Sequence, residues 1–463
     1  MTVKYRNMFM LVFVLIILHN YNVNGSIRGS ECIRRYNTDP AQDSLGEDID
    51  CSNSPYVFKS GYKLPMKVHS LDLSMNNITN VEPWDLLRSS SMQELYLNLN
   101  KIKHLNNVFE LPELRLLDLS DNLLEFVHED TFKGIKKLEY LNLANNNFTT
   151  FDKLAFHHLS NLKEIILDYN NIGQSLREVN LFDRDGFGLT HKITSISIKG
   201  VNLNEVPENF FTDAYDLKKL VIANNNLSEI FELPFTLEYL DLSDNPIPVI
   251  VMEDFEDLPS LKELKLNNLQ IKEVPDYVFS PLHSLVNLEL CRNRFLVEFS
   301  PLAFGREVLE DADDFMLEKL SLKGSRLTML DETLLQPFGQ LIRLDLQGNP
   351  WRCDCRLMWL KKLQIQPQDY QELRCATPMR LQNSKIFELE AKKLTCPLQA
   401  HIVGLSITVI GTCVVLATIA LWVYLFLPKY QSRHSALQSM YSSSTAYTVL
   451  PLAATDPYDR RNN

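Results

Sequence analysis

The side chains with the most chemistry to offer are the thiols. Of eight cysteines, Cys353, Cys355, Cys375 and Cys396 stand together, Cys32 and Cys51 form a second group, and Cys291 and Cys413 are isolated. Four thiolates can hold a structural zinc ion, but such sites are commonly built from two Cys-x-x-Cys knuckles, and Cys353-Asp354-Cys355 is not one. Disulfides are the alternative, and they need an oxidising compartment. Residues Met1 to Gly25 supply that address: Lys4 and Arg6, an uncharged apolar run from Met8 to Leu18, then Val23 and Gly25 before a cleavage point after Gly25. The C-terminal four therefore read as disulfides rather than metal ligands, and Cys32 with Cys51 as one more bridge. Cys291 is left as a shielded thiol or, alternatively, a site of intermolecular pairing.

Catalytic chemistry finds no foothold. The sequence contains no Gly-rich phosphate loop, His-Glu-x-x-His or Gly-x-Ser-x-Gly, and the adjacent His157 and His158 read as a solvated pair on an outer turn. No catalytic residue, metal site or cofactor is expected, and the chain reads as a non-enzyme. The formal charge is −12, and setting aside +2 in the first 25 residues and +2 after Pro428 leaves −16 on the stretch between. Such a balance disfavours nucleic acid or anionic lipid as the main partner, since both draw on a basic surface.

The elements that position these residues come from a repeat. Between Val68 and Trp351 the pattern L-x-x-L-x-L-x-x-N-x-L occurs twelve times, most cleanly as Leu114, Leu117, Leu119, Asn122, Leu124 and again as Leu138, Leu141, Leu143, Asn146, Phe148. Copies begin at Val68, Met92, Leu114, Leu138, Leu162, Ile193, Leu217, Leu237, Leu261, Leu285, Leu317 and Leu341, and seven of the eleven intervals are 24 residues. A shared period means that each unit buries its apolar edge on the next, giving a solenoid with one continuous core. In each unit the Leu-x-Leu pair should form a short strand with its leucines inward. The Asn should turn the chain and satisfy backbone groups of adjacent coils. Nine copies have it, and Val201, Leu269 and Ser325 are the exceptions.

The run Asn349-Pro350-Trp351-Arg352-Cys353-Asp354-Cys355 through Leu360 closely resembles the C-terminal flanking module of extracellular leucine-rich repeat proteins of the Slit, Toll and adhesion-receptor kind. The resemblance covers about residues 32 to 396. It implies an α/β fold, a leucine-rich repeat solenoid shaped as a curved horseshoe with a parallel sheet on the concave face, capped by cysteine-stapled modules. It also implies pairing of Cys353 with Cys375 and of Cys355 with Cys396, with Trp351 and Trp359 in the cap core. The family's N-terminal flank usually carries four cysteines in a tighter cluster, from which Cys32 and Cys51 depart.

Concave positions of repeats two to five carry Tyr96, Leu99, Leu116, Tyr140, Ile166 and Tyr169, whereas those of repeats nine to twelve are largely polar or charged. Grouped aromatics suggest a protein-binding patch, and ordinary singly exposed apolar side chains are the competing reading. Asn77, Asn147 and Asn226 fit the N-glycosylation motif, each one residue past a ladder Asn, so that sugars would line one edge. The two long intervals predict extra loops within Gly173 to Lys192 and Leu296 to Met316. The second holds Glu307, Glu310, Asp311, Asp313 and Asp314, read as a solvated loop or as a partner contact.

Ile402 to Leu427 is 26 residues without a charged side chain, long enough at about 1.5 Å per residue to cross a membrane. Lys429, Arg433 and His434 follow it and favour an extracellular N-terminus. Tyr447-Thr448-Val449-Leu450 resembles an endocytic sorting signal or, with Thr445, a phosphotyrosine switch, and motifs of four residues also arise by chance. The expected order is a signal peptide (1–25), N-terminal cap (26–67), about twelve repeats (68–351), C-terminal cap (352–400), transmembrane helix (402–427) and a disordered cytoplasmic tail (428–463), too short for a Toll-type signalling domain. The expected function is that of a plasma-membrane receptor or adhesion molecule of single-pass type I topology, binding an extracellular protein. The alternative is a structural or co-receptor protein without signalling of its own. Homo- or hetero-oligomers are compatible with either.

Overall fold

A computed structural model describes residues 32–36, 46–54, 67–81, 89–105, 109–150, 156–177, 180–183, 187–310, 315–396 and 405–425. The expected signal peptide, the tail with Tyr447 and Leu450, the ends of the expected transmembrane segment, and Asp311, Asp313 and Asp314 lie outside the described residues.

Fourteen strands form one sheet. It starts with an antiparallel hairpin, β1 (Ile33–Tyr36) and β2 (Glu47–Asp50), and β2 pairs in parallel with β3 (Val68–Asp72). Each repeat then adds one strand: β4 (Glu94–Tyr96), β5 (Leu116–Asp118), β6 (Tyr140–Asn142), β7 (Glu164–Ile166), β8 (Ser195–Ser197), β9 (Lys219–Val221), β10 (Tyr239–Asp241) and β11 (Glu263–Lys265). The short β12 (Glu273–Val274) and β14 (Glu298–Phe299) pair with each other away from the main sheet, which continues through β13 (Asn287–Glu289), β15 (Lys319–Ser321) and β16 (Arg343–Asp345). The register is strict, so that Leu95, Leu117, Leu141 and Ile165 lie side by side.

Strands of three residues cannot stand alone; they persist because the leucines beside and between them are removed from water. Leu114, Leu117, Leu119 and Leu124 are each 0% exposed, and so are their counterparts Leu138, Leu141, Leu143 and Phe148. A fully buried side chain of this size stabilises by roughly 1.5–3 kcal/mol, but only where a neighbouring coil covers it. The Asn amides bind the coils together. Asn122 Nδ2 donates to Leu97 O of the preceding coil at 2.9 Å and to Leu119 O of its own at 3.1 Å, while its Oδ1 accepts from Ile102 N at 3.0 Å. Where Ser325 replaces Asn, its hydroxyl still reaches Leu290 O at 3.3 Å.

The residue just before each ladder position is left-handed in all twelve repeats, from Met75 (φ 60°) and Leu99 (φ 55°) to Gly324 (φ 72°) and Gly348 (φ 74°). On the side opposite the sheet, phenylalanines stack from coil to coil: Phe132 on Phe156 (6.1 Å between centroids), Phe156 on Phe187 (4.9 Å), Phe211 on Phe231 (5.9 Å), then Phe255 on Phe279 (6.0 Å) and Phe279 on Phe304 (5.6 Å).

Both long intervals contribute apolar residues to the core, while Glu307 and Glu310 of the second are exposed. In the first, a short helix (Gly173–Leu176) leads to Leu181, Phe182, Phe187 and Leu189, all buried. In the second, Phe299, Ala303 and Phe304 are buried and Val308, Leu309 and Phe315 pack against the core. Apolar residues every few positions within each excursion bring it back onto the solenoid.

At the N-terminal end Cys32 and Cys51 form a disulfide. At the other end Cys353 is bridged to Cys375, joining β17 (Trp351–Arg352) to β18 (Cys375–Thr377), and Cys355 and Cys396 are also disulfide-bonded. Trp351 and Trp359 are buried, with their indole N–H groups donating to Leu346 O (2.9 Å) and Leu330 O (3.4 Å). Asp369 of the cap, 1% exposed, accepts from Arg343 of the last repeat strand at 2.8 Å. A carboxylate is held inside only with such a partner. Cys291 is a free, half-buried thiol that donates to Ser321 Oγ at 3.0 Å, and burial pushes its pKa up.

A separate unit, residues 395–463, contains a helix from Leu405 to Leu425, 21 residues with its apolar side chains exposed. Its length of about 31 Å matches a hydrocarbon core.

Candidate protein-binding surface

Each repeat strand presents the residues on either side of its central leucine to the outer face of the sheet. In β4–β7 those residues are Glu94 and Tyr96, Leu116 and Asp118, Tyr140 and Asn142, Glu164 and Ile166, all half-buried. The register sets Leu116 beside Tyr140, places Tyr96 beside Asp118 and puts Ile166 beside Asn142. Four of the six expected residues thus share one face, Leu116 and Tyr140 side by side in one cross-strand row and Tyr96 and Ile166 at the two ends of the adjacent row, three strand steps or about 14 Å apart.

Leu99 and Tyr169 do not sit on strands. Both are the left-handed residue before a ladder Asn, at the rim where the chain leaves the sheet, and both are exposed, at 49% and 45%. For a residue with a β-carbon that conformation costs on the order of 1–2 kcal/mol. Eight of the twelve repeats avoid the cost with Asn, Asp or Gly; Met75, Leu99, Tyr169 and Arg292 do not. This recurring turn escaped the sequence reading, although the Asn, Asp and Gly before the ladder position were its signal. The Tyr169 ring lies across the next coil at Gly200 (φ 65°), where an added Cβ would come within 2.6 Å of it. Lys199 Nζ stands 5.8 Å from the ring centroid.

Carboxylates surround these aromatics. The Tyr96 hydroxyl donates to Glu94 at 3.2 Å, and burial, followed by Glu94, Asp118 and Asp72, pushes its pKa up to about 12. Burial, with Asp118 and Glu164, also raises Tyr140. None of the eight outward residues of β4–β7 is basic. Asp118 is committed locally, accepting from Ser120 N at 2.9 Å and Ser120 Oγ at 2.7 Å.

Further along, the face changes character. The Tyr239 ring lies between Lys219 Nζ (5.7 Å) and Lys265 Nζ (5.4 Å). Lys265 reaches Glu263 at 3.2 Å and Glu289 at 3.6 Å; burial works against its charge, yet Glu289, Tyr239 and Glu263 outweigh it and hold the ammonium above its usual range. Lys323 pairs with Asp345 at 3.2 Å. Along one edge of the sheet, ion pairs tie successive coils in repeats three to five and again in repeats seven to nine: Arg115 to Glu139, Glu139 to Lys163 (2.6 Å), Lys218 to Glu238 (2.8 Å) and Glu238 to Lys262 (2.7 Å). The pair of lysines holds Glu238 down to about 2.

Asn77, Asn147 and Asn226 are exposed and follow β3, β6 and β9, so the three stand three coils apart at one repeat position. His157 and His158 stack at 3.7 Å on an outer turn, and among the described residues no group of three or more His, Cys, Asp or Glu could hold a metal ion.

Strand-per-repeat topology and the Asn ladder define a leucine-rich repeat solenoid, and residues 112–172 and 235–304 match the family described as "Leucine rich repeat". The chain thus has a leucine-rich repeat fold. Among its relatives are osteomodulin of Rattus norvegicus, 28% identical over 49% of this chain and 47% of that protein, and Tsukushi of Gallus gallus, 27% identical over 50% of this chain and 60% of that one. Toll-like receptor 7 of Mus musculus is 24% identical over 63% of this chain and 28% of the receptor. These alignments thus span between 28% and 60% of the relatives' own lengths. A solved Toll–Spatzle complex from Drosophila aligns with a TM-score of 0.45 and 18% identity, covering 73% of this chain and 57% of that one.

Proposed function

We propose that this chain is a single-pass type I protein of the plasma membrane that recognises an extracellular protein through the outer face of strands β4–β7. The observation that carries this reading is the register that gathers Tyr96, Leu116, Tyr140 and Ile166 on two adjacent rows of one face, with Leu99 and Tyr169 raised on the rim at a conformational cost. Strained backbone that holds an exposed apolar side chain is retained where the side chain is used. Since no cation stands among the outward residues of these strands, the partner surface that fits is apolar with a basic surround.

The Leu405–Leu425 helix spans the membrane in this reading, with the repeats outside and glycans on Asn77, Asn147 and Asn226 shielding an edge of the sheet rather than its face. Receptor relatives such as Toll-like receptor 7 support the same assignment.

The test is proximity labelling on cells that display the full chain, followed by Tyr96→Ala, Tyr140→Ala and Tyr169→Ala. Each substitution should weaken the recovered interaction by about 1–2 kcal/mol while surface display stays unchanged. Retention of full binding by all three would move the site elsewhere.

A further inference from the structure

The interval from Leu217 to Leu237 is 20 residues, whereas the units on either side have 24. Repeat six makes its return through a turn around Phe210 and Phe211, and repeat eight through the short 3-10 helix Met252–Asp254 that leads into Phe255. Repeat seven has no such turn; Phe231-Glu232-Leu233-Pro234 runs straight across. About one helical turn of chain is missing. A cavity of about 700 Å³ lies there, lined by residues of repeats six, seven and eight.

Its floor is apolar: Phe211, Ile230 and Phe231, the rings of the last two residues before the gap in the phenylalanine stack included. Its lips carry two of the most exposed aromatics of the repeats, Tyr215 (58%) and Phe235 (61%). The rim is acidic, with Glu208, Glu232, Glu253, Asp254 and Asp257, and no lining residue is basic. Asp254 is half-buried and capped by Val251 N at 2.7 Å, and burial raises its pKa. Glu238 on the sheet edge is held by two lysines, but Glu208, Glu232, Glu253 and Asp257 form no ion pair among the described residues. An open apolar floor beneath unneutralised carboxylates is poorly suited to an acidic or neutral ligand and well suited to a cationic one that has an apolar anchor.

We propose that this groove is a second binding site, on the side opposite the sheet face, for a protein segment with an aromatic or long aliphatic side chain flanked by arginine or lysine. The anchor fills the floor left by the missing turn, and the flanking cations pair with the rim.

The experiment uses the full chain in detergent and a dye-labelled peptide with a central Trp-Leu pair between two arginines on each side. Fluorescence anisotropy should show saturable binding that weakens with salt. Glu232→Lys combined with Asp257→Lys should reduce affinity by at least about tenfold. Thr212→Trp, which fills the groove from an exposed position, should reduce it independently, and Tyr96→Ala on the sheet face should leave it unchanged. Both groove variants alter exposed residues, and an unchanged thermal midpoint shows that they fold. No saturable binding, equal binding of a peptide with serines in place of the arginines, or undiminished affinity in the charge-reversed chain would each overturn the proposal. Self-association of the chain that competes with the peptide and is lost in the charge-reversed variant would put a second copy in the groove, and would overturn it too.

Discussion

Strands β4–β7 and strands β10–β16 present the same backbone to solvent and differ in what their side chains do for one another. In the later strands charge is matched within the chain: Lys265 is shared by Glu263 and Glu289, Tyr239 is flanked by two lysines, and Arg343 is spent on the buried Asp369 of the cap. In the earlier strands the outward groups are tyrosines, aliphatics, carboxylates and one amide, Asn142, without a single Lys or Arg among them. A surface whose charges are already paired gains little from a partner, because desolvating an ion pair costs what the new contact returns. The earlier face, where Lys219 reaches Glu164 at 3.9 Å but Glu94 and Asp118 have no ion pair among the described residues, keeps half-buried aromatics and carboxylates available to a partner. The backbone agrees, since the left-handed rim beside the earlier strands holds Met75, Leu99 and Tyr169 where most repeats have Asn, Asp or Gly.

The largest expected effect would remove both regions together. Cys353→Ser opens the bridge that ties β17 to β18 over the end of the core, and loss of a native disulfide commonly costs about 2–5 kcal/mol. The variant should be retained in the secretory pathway, seen as glycosidase-sensitive protein that fails to reach the surface. Normal display would show that the cap is dispensable and that the two regions can be altered without regard to it.

A smaller and more discriminating effect comes from the rim. Leu99→Asn should raise stability by up to about 1 kcal/mol, because Asn tolerates the left-handed turn, and should weaken partner binding at the same time. Arg292→Asn, at the equivalent position beside the later strands, should give the same gain in thermal midpoint with no loss of binding. Equal binding losses in both variants would erase the distinction between the regions.

Much of this contrast could be read before any coordinates. The 24-residue spacing located the strands and the Asn ladder because periodic burial leaves one place for each leucine, and Tyr96, Leu116, Tyr140 and Ile166 followed from the alternation of side chains along a strand. The positions of Leu99 and Tyr169 were less legible, since their outward direction depends on a left-handed turn that neither residue favours. Pairing between coils was also missed, although Arg115, Glu139 and Lys163 stand one period apart and could have been matched by spacing alone. The groove follows from a shortened interval whose consequence appears only when its neighbours are placed beside it. The excursions within Gly173 to Lys192 and Leu296 to Met316 have scattered apolar residues without a period, which is why their packing onto the core could not be assigned from spacing.

The smallest expected effect tests whether the edge ion pairs matter to the contrast. The folded pKa of Glu238, about 2, lies below its ordinary 4.5, so any stability it contributes is present above about pH 4.5 and is lost as pH falls towards 2. Glu238→Gln should therefore lower the thermal midpoint slightly at neutral pH, the difference from wild type should vanish on acidification, and exposure to solvent keeps it small. Because Glu139 is depressed in the same way by Lys163 and Arg115, Glu139→Gln beside the earlier strands should behave alike. A loss of partner binding in either variant would extend the site to the sheet edge.

The most direct measurement sets a glycan on each region in turn. Asp118→Asn creates Asn-Leu-Ser on β5 and Asp241→Asn creates the same tripeptide on β10, and in both places the parent carboxylate accepts from the backbone N–H two residues on, at 2.9 Å. The two variants are thus matched in sequence and local geometry and differ in the face they cover. With occupancy confirmed by a glycosidase-reversible gel shift and display unchanged, binding of the labelled partner should be lost in Asp118→Asn and kept in Asp241→Asn. Binding that survives the glycan on β5, or that is lost only with the one on β10, would contradict the assignment of strands β4–β7 as the recognition surface.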